Sequence, residues 1–271
     1  MKEKIKIDLG SVQKTLFMPV WARAVETGKT NPLLVDNTAV TILESVDFDF
    51  ATMTQNVPEI SQVSWVARCK RFDMVIKEFI AKHPGGTIVN IGCGLDTTYE
   101  RIDNQNVIWY DLDLPDVIEL RKKFLCETAN RKFIAGSFLD TKWFDIISRP
   151  KEILFISAGV FVYFDEEEIK EFLLKLVNSF PGAGLFFDVT SPKGVEIANI
   201  VIQKSGLDEK SFFKWGLKDK NDITSWSSKI KLLGTFYTYQ IEGIRLSEKD
   251  MQMAAMSDSL DIQYMVHLKL S

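Results

Sequence analysis

The chain is short of the residues that most often move protons or hold metals. It has two histidines and three cysteines in 271 residues. His83 stands beside Pro84 in a predicted turn, and His267 falls in the last predicted strand, so both read as structural and no catalytic base is named. Cys69, Cys93 and Cys126 are far apart, odd in number and without a CxxC pair, which suggests neither a disulfide framework nor a zinc site. A basic excess is missing too. Lys and Arg total 33 against 37 Asp and Glu, a formal net charge of −4, so no broad positive field exists to hold a nucleic acid. No apolar run is long enough to span a bilayer. The opening residues MKEKIKIDLGS alternate and carry charge where a secretory signal would have an apolar core. The expected compartment is the reducing cytoplasm.

What remains is ordinary soluble material: 46% hydrophobic and 26% charged residues, in a length that suits one α/β domain. Residues 1–85 read as a helical cap. VQKTLFMPVWARAVET has helical spacing but contains Pro19, expected to kink or break it. VDNTAVTILESV follows, with Asp36 or Asn37 as N-cap. In SQVSWVARCKRFDMVIKEFIAKH the apolar residues from Val66 to Ile80 recur at three and four, so they share a face. Pro84-Gly85-Gly86 ends that helix.

From residue 86 to 190 apolar strands alternate with helices. Strands are expected at 87–91, 107–112, 131–135, 152–157 and 184–189, and helices at about 95–102, 115–127, 141–148 and 165–179. Near-continuous apolar strands separated by helices imply a parallel sheet buried on both faces. Residues 191–230 mix polar turns with exposed-looking aromatics and read as a cap insertion. Residues 231–271 supply two closing strands, LLGTFYTYQIEG and IQYMVHLKL, expected to form an antiparallel edge hairpin with no helix between them.

The informative stretch is TIVNIGCG, residues 87–94. A buried strand runs into a tight turn, Gly92-Cys93-Gly94, and the next strand, VIWYDLD, ends on Asp111 and Asp113. Glycines at such a turn let backbone approach a nucleoside, and an acid about 20 residues further on can accept hydrogen bonds from ribose hydroxyls. The third glycine of a dinucleotide fingerprint is absent; Asp96 and Thr97 follow instead. An acid there repels a pyrophosphate. The spacing therefore favours a phosphate-free nucleoside such as S-adenosylmethionine, with a dinucleotide site and a purely structural turn as the alternatives.

The runs VNIGCGLDTTYERID, WYDLDLPDVIELRKKF, IAGSFLDTKWFDII and FISAGVFVYFDEEEIKEFLLKLVNSFPG, in that order, resemble the leucine carboxyl methyltransferase superfamily. They look closest to its bacterial branch of polyketide-synthesis O-methyltransferases, over about residue 11 to the end. GLDT followed by DLP is far more specific than a lone GxG. The resemblance implies a class I methyltransferase: a Rossmann-like, seven-stranded, mostly parallel sheet with an antiparallel edge and an N-terminal helical cap. It implies that Gly92, Cys93 and Gly94 wrap the methionine and ribose of S-adenosylmethionine, and that Asp113 holds the ribose. Ser137 and Phe138 fall in the adenine-contact segment, where the ring would cover the base or pack in the core. Arg68 matches an arginine that grips the donor carboxylate; otherwise it is a surface helix arginine. Asp111 is either a second site acid or a solvated strand end.

Two positions depart from the pattern. Ala158 stands where many members carry a glutamate that contacts the donor's amino end, which weakens binding or calls for a substitute group. Thr98 replaces an arginine common among bacterial relatives.

The implied reaction moves a methyl group to a carboxylate or hydroxyl oxygen of a small molecule. Tyr163 matches a family tyrosine on the acceptor side, and Phe17, Trp21, Phe212, Phe213 and Trp215 are candidate lining for an apolar acceptor pocket. Two other readings stand beside it. One is methylation of a protein C-terminal carboxylate; the other is a family member that binds cofactor without catalysis. The acceptor and the oligomeric state are not readable from the sequence.

Overall fold

Five apolar stretches after Gly86 become parallel strands: β1 (Thr87–Ile91), β2 (Ile108–Asp113), β3 (Arg131–Ala135), β4 (Ile153–Ser157) and β5 (Gly184–Thr190). β6 (Ile230–Tyr237) and β7 (Gln263–Leu270) complete a seven-stranded sheet of order β3-β2-β1-β4-β5-β7-β6. β7 runs antiparallel to both β5 and β6. The structure is a computed structural model that describes residues 4–6, 11–102, 106–149, 152–204 and 209–271. Of the charged opening segment, only residues 4–6 are described; there Ile5 bridges Val46.

β1 and β4 are buried along their whole length, as their largely apolar Ile, Val, Leu and Phe runs require. Their side chains alternate between two cores. Val89 and Ile91 point to the face that holds Phe172 and Leu173, whereas Ile88 joins Phe72, Ile76 and Phe186 on the other face. The first face is closed by α7 (Glu166–Ser179), the second by α4 (Glu59–Lys82). From β1 the chain steps outward to β2 and β3, then returns to β4 on the opposite side. Strand order thus reverses between β1 and β4, and the crevice beyond their C-terminal ends is where open α/β sheets bind ligands.

Several elements differ from the sequence expectation. Helix α1 (Ser11–Thr27) runs straight through Pro19. Proline costs a helix interior one hydrogen bond and a ring clash, but Phe17, Val20 and Ala22 flank it fully buried, and their packing holds the helix together. Helix α2 (Asn37–Ser45) starts as expected, with the Asp36 carboxylate accepting the Ala39 amide at 2.8 Å. Next comes the short α3 (Phe50–Thr54). The helices expected at 95–102 and 115–127 shorten to α5 (Thr98–Arg101) and α6 (Pro115–Arg121), and the one at 141–148 is a 3-10 turn over Thr141–Asp145. The closing strands pair antiparallel at the sheet edge as expected, but their connection is not helix-free. The residues between β6 and β7 form α10 (Glu248–Ser259), capped by the Ser247 hydroxyl on the Asp250 amide. Its Met251, Met253 and Met256 are exposed while Ala254 and Asp258 are buried, so no apolar stripe betrays it in sequence. The 191–230 segment contains α8 (Pro192–Lys204) and α9 (Asp222–Ser225), and its Trp215 is buried in the main core rather than exposed.

Candidate active site

The glycine turn is built by the strand beside it. The amides of Gly92 and Cys93 both donate to the Leu112 carbonyl, at 2.8 and 3.1 Å. That bend needs left-handed backbone, and Gly92 and Gly94 have φ of +64° and +45°. A methyl group on Gly92 would collide with Val160, whose Cγ1 would lie 2.9 Å away. One on Gly94 would come within 3.1 Å of the Leu16 side chain from α1. Side chains of the cap and of the β4 end therefore stand directly over the turn.

Asp113 closes the other side. Its Oδ2 accepts the Gly94 amide at 2.7 Å and its Oδ1 accepts the Leu114 amide at 2.8 Å. Each oxygen keeps a further lone pair. Burial pushes its carboxyl above the usual range, against the pull of those two amides. One strand over, the Gly136 amide donates to the Asp113 carbonyl, which sets Ser137 beside the acid; the Ser137 hydroxyl accepts the Leu139 amide at 3.3 Å.

Asp111 is neither at the crevice nor solvated. It is fully buried, with Oδ2 at 2.7 Å from Arg131 Nε and 3.1 Å from an Arg121 guanidinium nitrogen. Trp109 Nε1 and Asn90 Nδ2 donate to its Oδ1. Arg121 in turn donates to the Gly94 carbonyl at 2.7 Å. Asp111 thus supports the turn from below through Arg121. Phe138 also turns inward: its ring packs edge-on against Phe164 and Phe172 at 4.7 and 4.9 Å, the packing alternative of the two sequence readings. Cys93 is buried, and burial pushes its thiol well above the usual range, which keeps it an inert packing group.

Arg68 is not a surface arginine. Its side chain is 11% exposed and pairs through Nη1 with Asp188 of β5 at 2.7 Å. The other Asp188 oxygen accepts the Gly159 amide at 2.6 Å. Asp188 belongs to none of the sequence motifs above, yet its position carries a legible signal. It lies two residues past Phe186 on the same face of β5, Arg68 lies one turn before Phe72 on α4, and Phe72 meets Phe186 at 4.7 Å. Tyr163, on the turn after β4, feels both charges; burial raises its hydroxyl above the usual range. Its ring meets Phe213 edge-on at 5.3 Å. The strap carrying Phe213 is fixed by α8: Asn199 donates to the Phe213 carbonyl and accepts its amide. Phe17 instead packs against Phe50 and Phe124, and Trp215 beside Trp226, so both belong to the core.

A second buried network ties the cap to the turn. Asp36 accepts from Arg23 at 2.7 Å, Thr97 at 2.5 Å and Arg101 at 3.0 Å. Arg101 also binds Asp73 of α4 and the Thr98 hydroxyl, and Arg23 donates to the Leu95 carbonyl. Although burial opposes it, Arg101, Arg23 and Arg121 hold the Asp96 carboxyl below its usual range. Both histidines lie elsewhere, against Phe79 and Phe186.

Sheet order, the positive-φ glycine turn and the acid at the tip of β2 define a class I methyltransferase, the class whose methyl donor is S-adenosylmethionine. Solved structures agree on the fold. A methyltransferase from Thermobifida fusca superposes with a TM-score of 0.59 at 15% identity, covering 94% of each chain. Magnesium protoporphyrin IX methyltransferase from Synechocystis, solved with S-adenosylhomocysteine, gives 0.51 at 13% identity over 87% of this chain and all of the other. The family model for leucine carboxyl methyltransferase matches residues 17–177, and the chain belongs to that family. Among curated relatives it is similar to the tetracenomycin polyketide synthesis O-methyltransferase TcmP of Streptomyces glaucescens, 28% identical over 81% of this chain and 80% of the relative. It is also 23% identical to the S-adenosyl-L-methionine-dependent methyltransferase dpfgK of Gibberella zeae, over 82% of this chain and 80% of the relative.

Proposed function

We propose that this methyltransferase transfers the methyl group of S-adenosylmethionine to a carboxylate or hydroxyl oxygen of a small molecule in the cytoplasm. The observation that carries the reading is the placement of Asp113 against the Gly92–Gly94 turn, one hydrogen bond away, with a lone pair left on each carboxylate oxygen. Residues 86–190 serve as the cofactor-binding core, residues 231–271 add its closing edge strands, and residues 1–85 and 191–230 close over it as a helical cap and a cap insertion. In this reading Asp113 binds the ribose hydroxyls, the turn lies along the methionine and ribose, and Ser137 with the backbone of Phe138 borders the adenine. Among the described residues the buried Nε of Arg68 has no partner, which makes it a donor suited to a carboxylate. No helix among the described residues is long and apolar enough to cross a membrane.

S-adenosylmethionine, when bound, would supply an electrophilic methyl group on its sulfonium: the acceptor oxygen would gain a bond to that carbon as the carbon–sulfur bond breaks and neutral S-adenosylhomocysteine leaves. The protein's part is to align the reactants and keep water out. A carboxylate acceptor, with a pKa of about 4, is already ionised and needs no base. Tyr163, its hydroxyl pushed up by burial, is a hydrogen-bond donor that orients the acceptor rather than a base. Calorimetry with S-adenosylhomocysteine tests the cofactor half, since no heat would remove it. Labelled-methyl transfer into extracted metabolites supports the acceptor half, whereas label in protein bands would mark a C-terminal carboxylate as the acceptor.

A further inference from the structure

At the C-terminal ends of β1, β4 and β5 the register lines up Gly92, Ala158 and Asp188. Ile91 pairs with Ser157 and Ser157 with Phe187, so these three are each the next residue along. Ala158 offers no polar group there. Asp188 does, and it is 4% exposed. A carboxylate so deeply buried needs a partner, and it has two: Arg68 Nη1 on Oδ2 and the Gly159 amide on Oδ1.

Gly159 makes this geometry possible. Its φ is +71°, and a methyl group there would lie 3.0 Å from Arg68 Nη1. Backbone, guanidinium and carboxylate therefore meet where side-chain bulk is excluded. The pair is also incompletely satisfied. Among the described residues the guanidinium donates one hydrogen bond to a side chain, and its buried Nε has no partner. Arg68 and Asp188 are adjacent opposite charges beside the glycine turn, and the methionine end of S-adenosylmethionine is itself a zwitterion. The complement of an α-ammonium next to an α-carboxylate is a carboxylate next to a guanidinium.

The geometry points to Asp188 as the group that binds the α-ammonium of the donor, with Arg68 taking the α-carboxylate from the same buried pair. This rests on the cofactor reading above and adds to it a residue from β5. It also accounts for Ala158. The carboxylate missing at the β4 end is supplied from the next strand, so the alanine does not mark a dead enzyme. Asp188 does two things at once: it anchors Gly159 and Arg68 before the ligand arrives, and it keeps free lone pairs for an ammonium afterwards.

The test compares S-adenosylhomocysteine with methylthioadenosine, which has the same adenosine and thioether but no amino-acid end, and with the deaminated form of S-adenosylhomocysteine. Each is titrated by calorimetry into the wild-type chain, Asp188→Asn, and Asp188→Asn combined with Ala158→Glu. Wild type should bind S-adenosylhomocysteine far more tightly than either analogue. Asp188→Asn should weaken S-adenosylhomocysteine by about 10- to 100-fold, the range for hydrogen bonds to charged groups, and methylthioadenosine by less than about 3-fold. Adding Ala158→Glu should restore part of the loss by returning a carboxylate to the neighbouring strand end. A merely structural Asp188 predicts equal losses for both ligands and no restoration, and that result would overturn the assignment. Should Asp188→Asn not fold, wild type alone decides: equal affinity for S-adenosylhomocysteine and its deaminated form rejects an ammonium site. Binding of methylthioadenosine with no preference for S-adenosylhomocysteine sinks only the Asp188 inference. No binding of any of the three sinks the cofactor reading itself.

Discussion

The Asp113 carboxylate and the Gly94 amide are 2.7 Å apart, joined by a hydrogen bond that fastens the acid of β2 to the turn after β1. Acid and turn are thus one mechanical unit. Changing Asp113 to Ala removes the proposed ribose acceptor and releases the turn. S-adenosylhomocysteine affinity should fall by about 100-fold or more, the sum of two charge-assisted hydrogen bonds. The Gly94 and Leu114 amides also lose their acceptor, so the thermal midpoint should fall, though by less than for a fully buried ion pair because Asp113 is only partly buried. Because burial raises its carboxyl, cofactor affinity should also decline on acidification at a pH above that of an ordinary aspartate. Calorimetry across pH 4–7 on wild type reads this out, and a flat profile would remove Asp113 from the site.

Asp111 makes the opposite prediction. Arg121 and Arg131 are both almost fully buried against it. Asp111→Asn takes the carboxylate from Arg121 and leaves Arg131 with Glu100 alone, so urea unfolding should show a loss of about 3–5 kcal/mol. The two acids, two residues apart in DLD, should therefore separate cleanly. One change costs binding more than stability, and the other costs stability first.

That separation marks where sequence reading stops. The parallel core, the glycine turn and the reversed edge are legible because they depend on local pattern: apolar runs, glycines and a motif order. Which of Asp111 and Asp113 lies against the turn and which is enclosed depends on where β2 ends and on Arg121 and Arg131 arriving from elsewhere in the chain. Strand alternation puts both acids on one side and cannot place the end. Asp188 is a similar case, since its partner is 120 residues away on another layer. Helix α10 was hidden for another reason: exposed methionines and a buried aspartate erase the period that announces a helix.

Asp36 fastens the cap, and its pKa gives the prediction a sign. Burial alone would raise it, but Arg23, Arg101 and Thr97 outweigh burial and hold it below the usual carboxylate value. A depressed folded-state pKa contributes stability that is complete above the unfolded value of about 3.9 and is lost as pH falls through the folded one. Wild type should therefore lose thermal stability steeply below about pH 4. Asp36→Asn should start lower at pH 7 and show a flatter acid limb. Identical limbs in the two proteins would mean that Asp36 is not the clamp.

Asp258 on α10 carries the reverse sign. Burial pushes its carboxyl up to about 6, against the Tyr239 and Thr238 amides. Its folded form then binds a proton more readily than the unfolded chain, so its contribution to stability grows as pH falls from about 6 toward 4. Chemical denaturation at pH 7.5 and 5 should show a smaller pH dependence in Asp258→Asn than in wild type. A dependence unchanged by the substitution would assign that titration to another group.

The contact between Gly92 and Val160 yields a double-mutant test of the turn itself. Gly92 sits at φ +64°, and a methyl group there meets both Val160 methyls. Gly92→Ala therefore carries two costs: left-handed backbone for a non-glycine residue, about 1–3 kcal/mol, and a collision with Val160. Val160→Ala removes the second cost and leaves the first. The double variant should be more stable than the sum of the two single losses, by a coupling of about 0.5–3 kcal/mol, the range for residues in contact. Urea unfolding of the four proteins measures it. Additive losses would mean that Val160 does not stand over the turn, and any account in which it must move aside before a cofactor enters would fail with it. A positive coupling makes Val160→Ala alone informative as well. With the isopropyl group gone, S-adenosylhomocysteine should bind at least as tightly as in wild type, because the ligand no longer has to displace it.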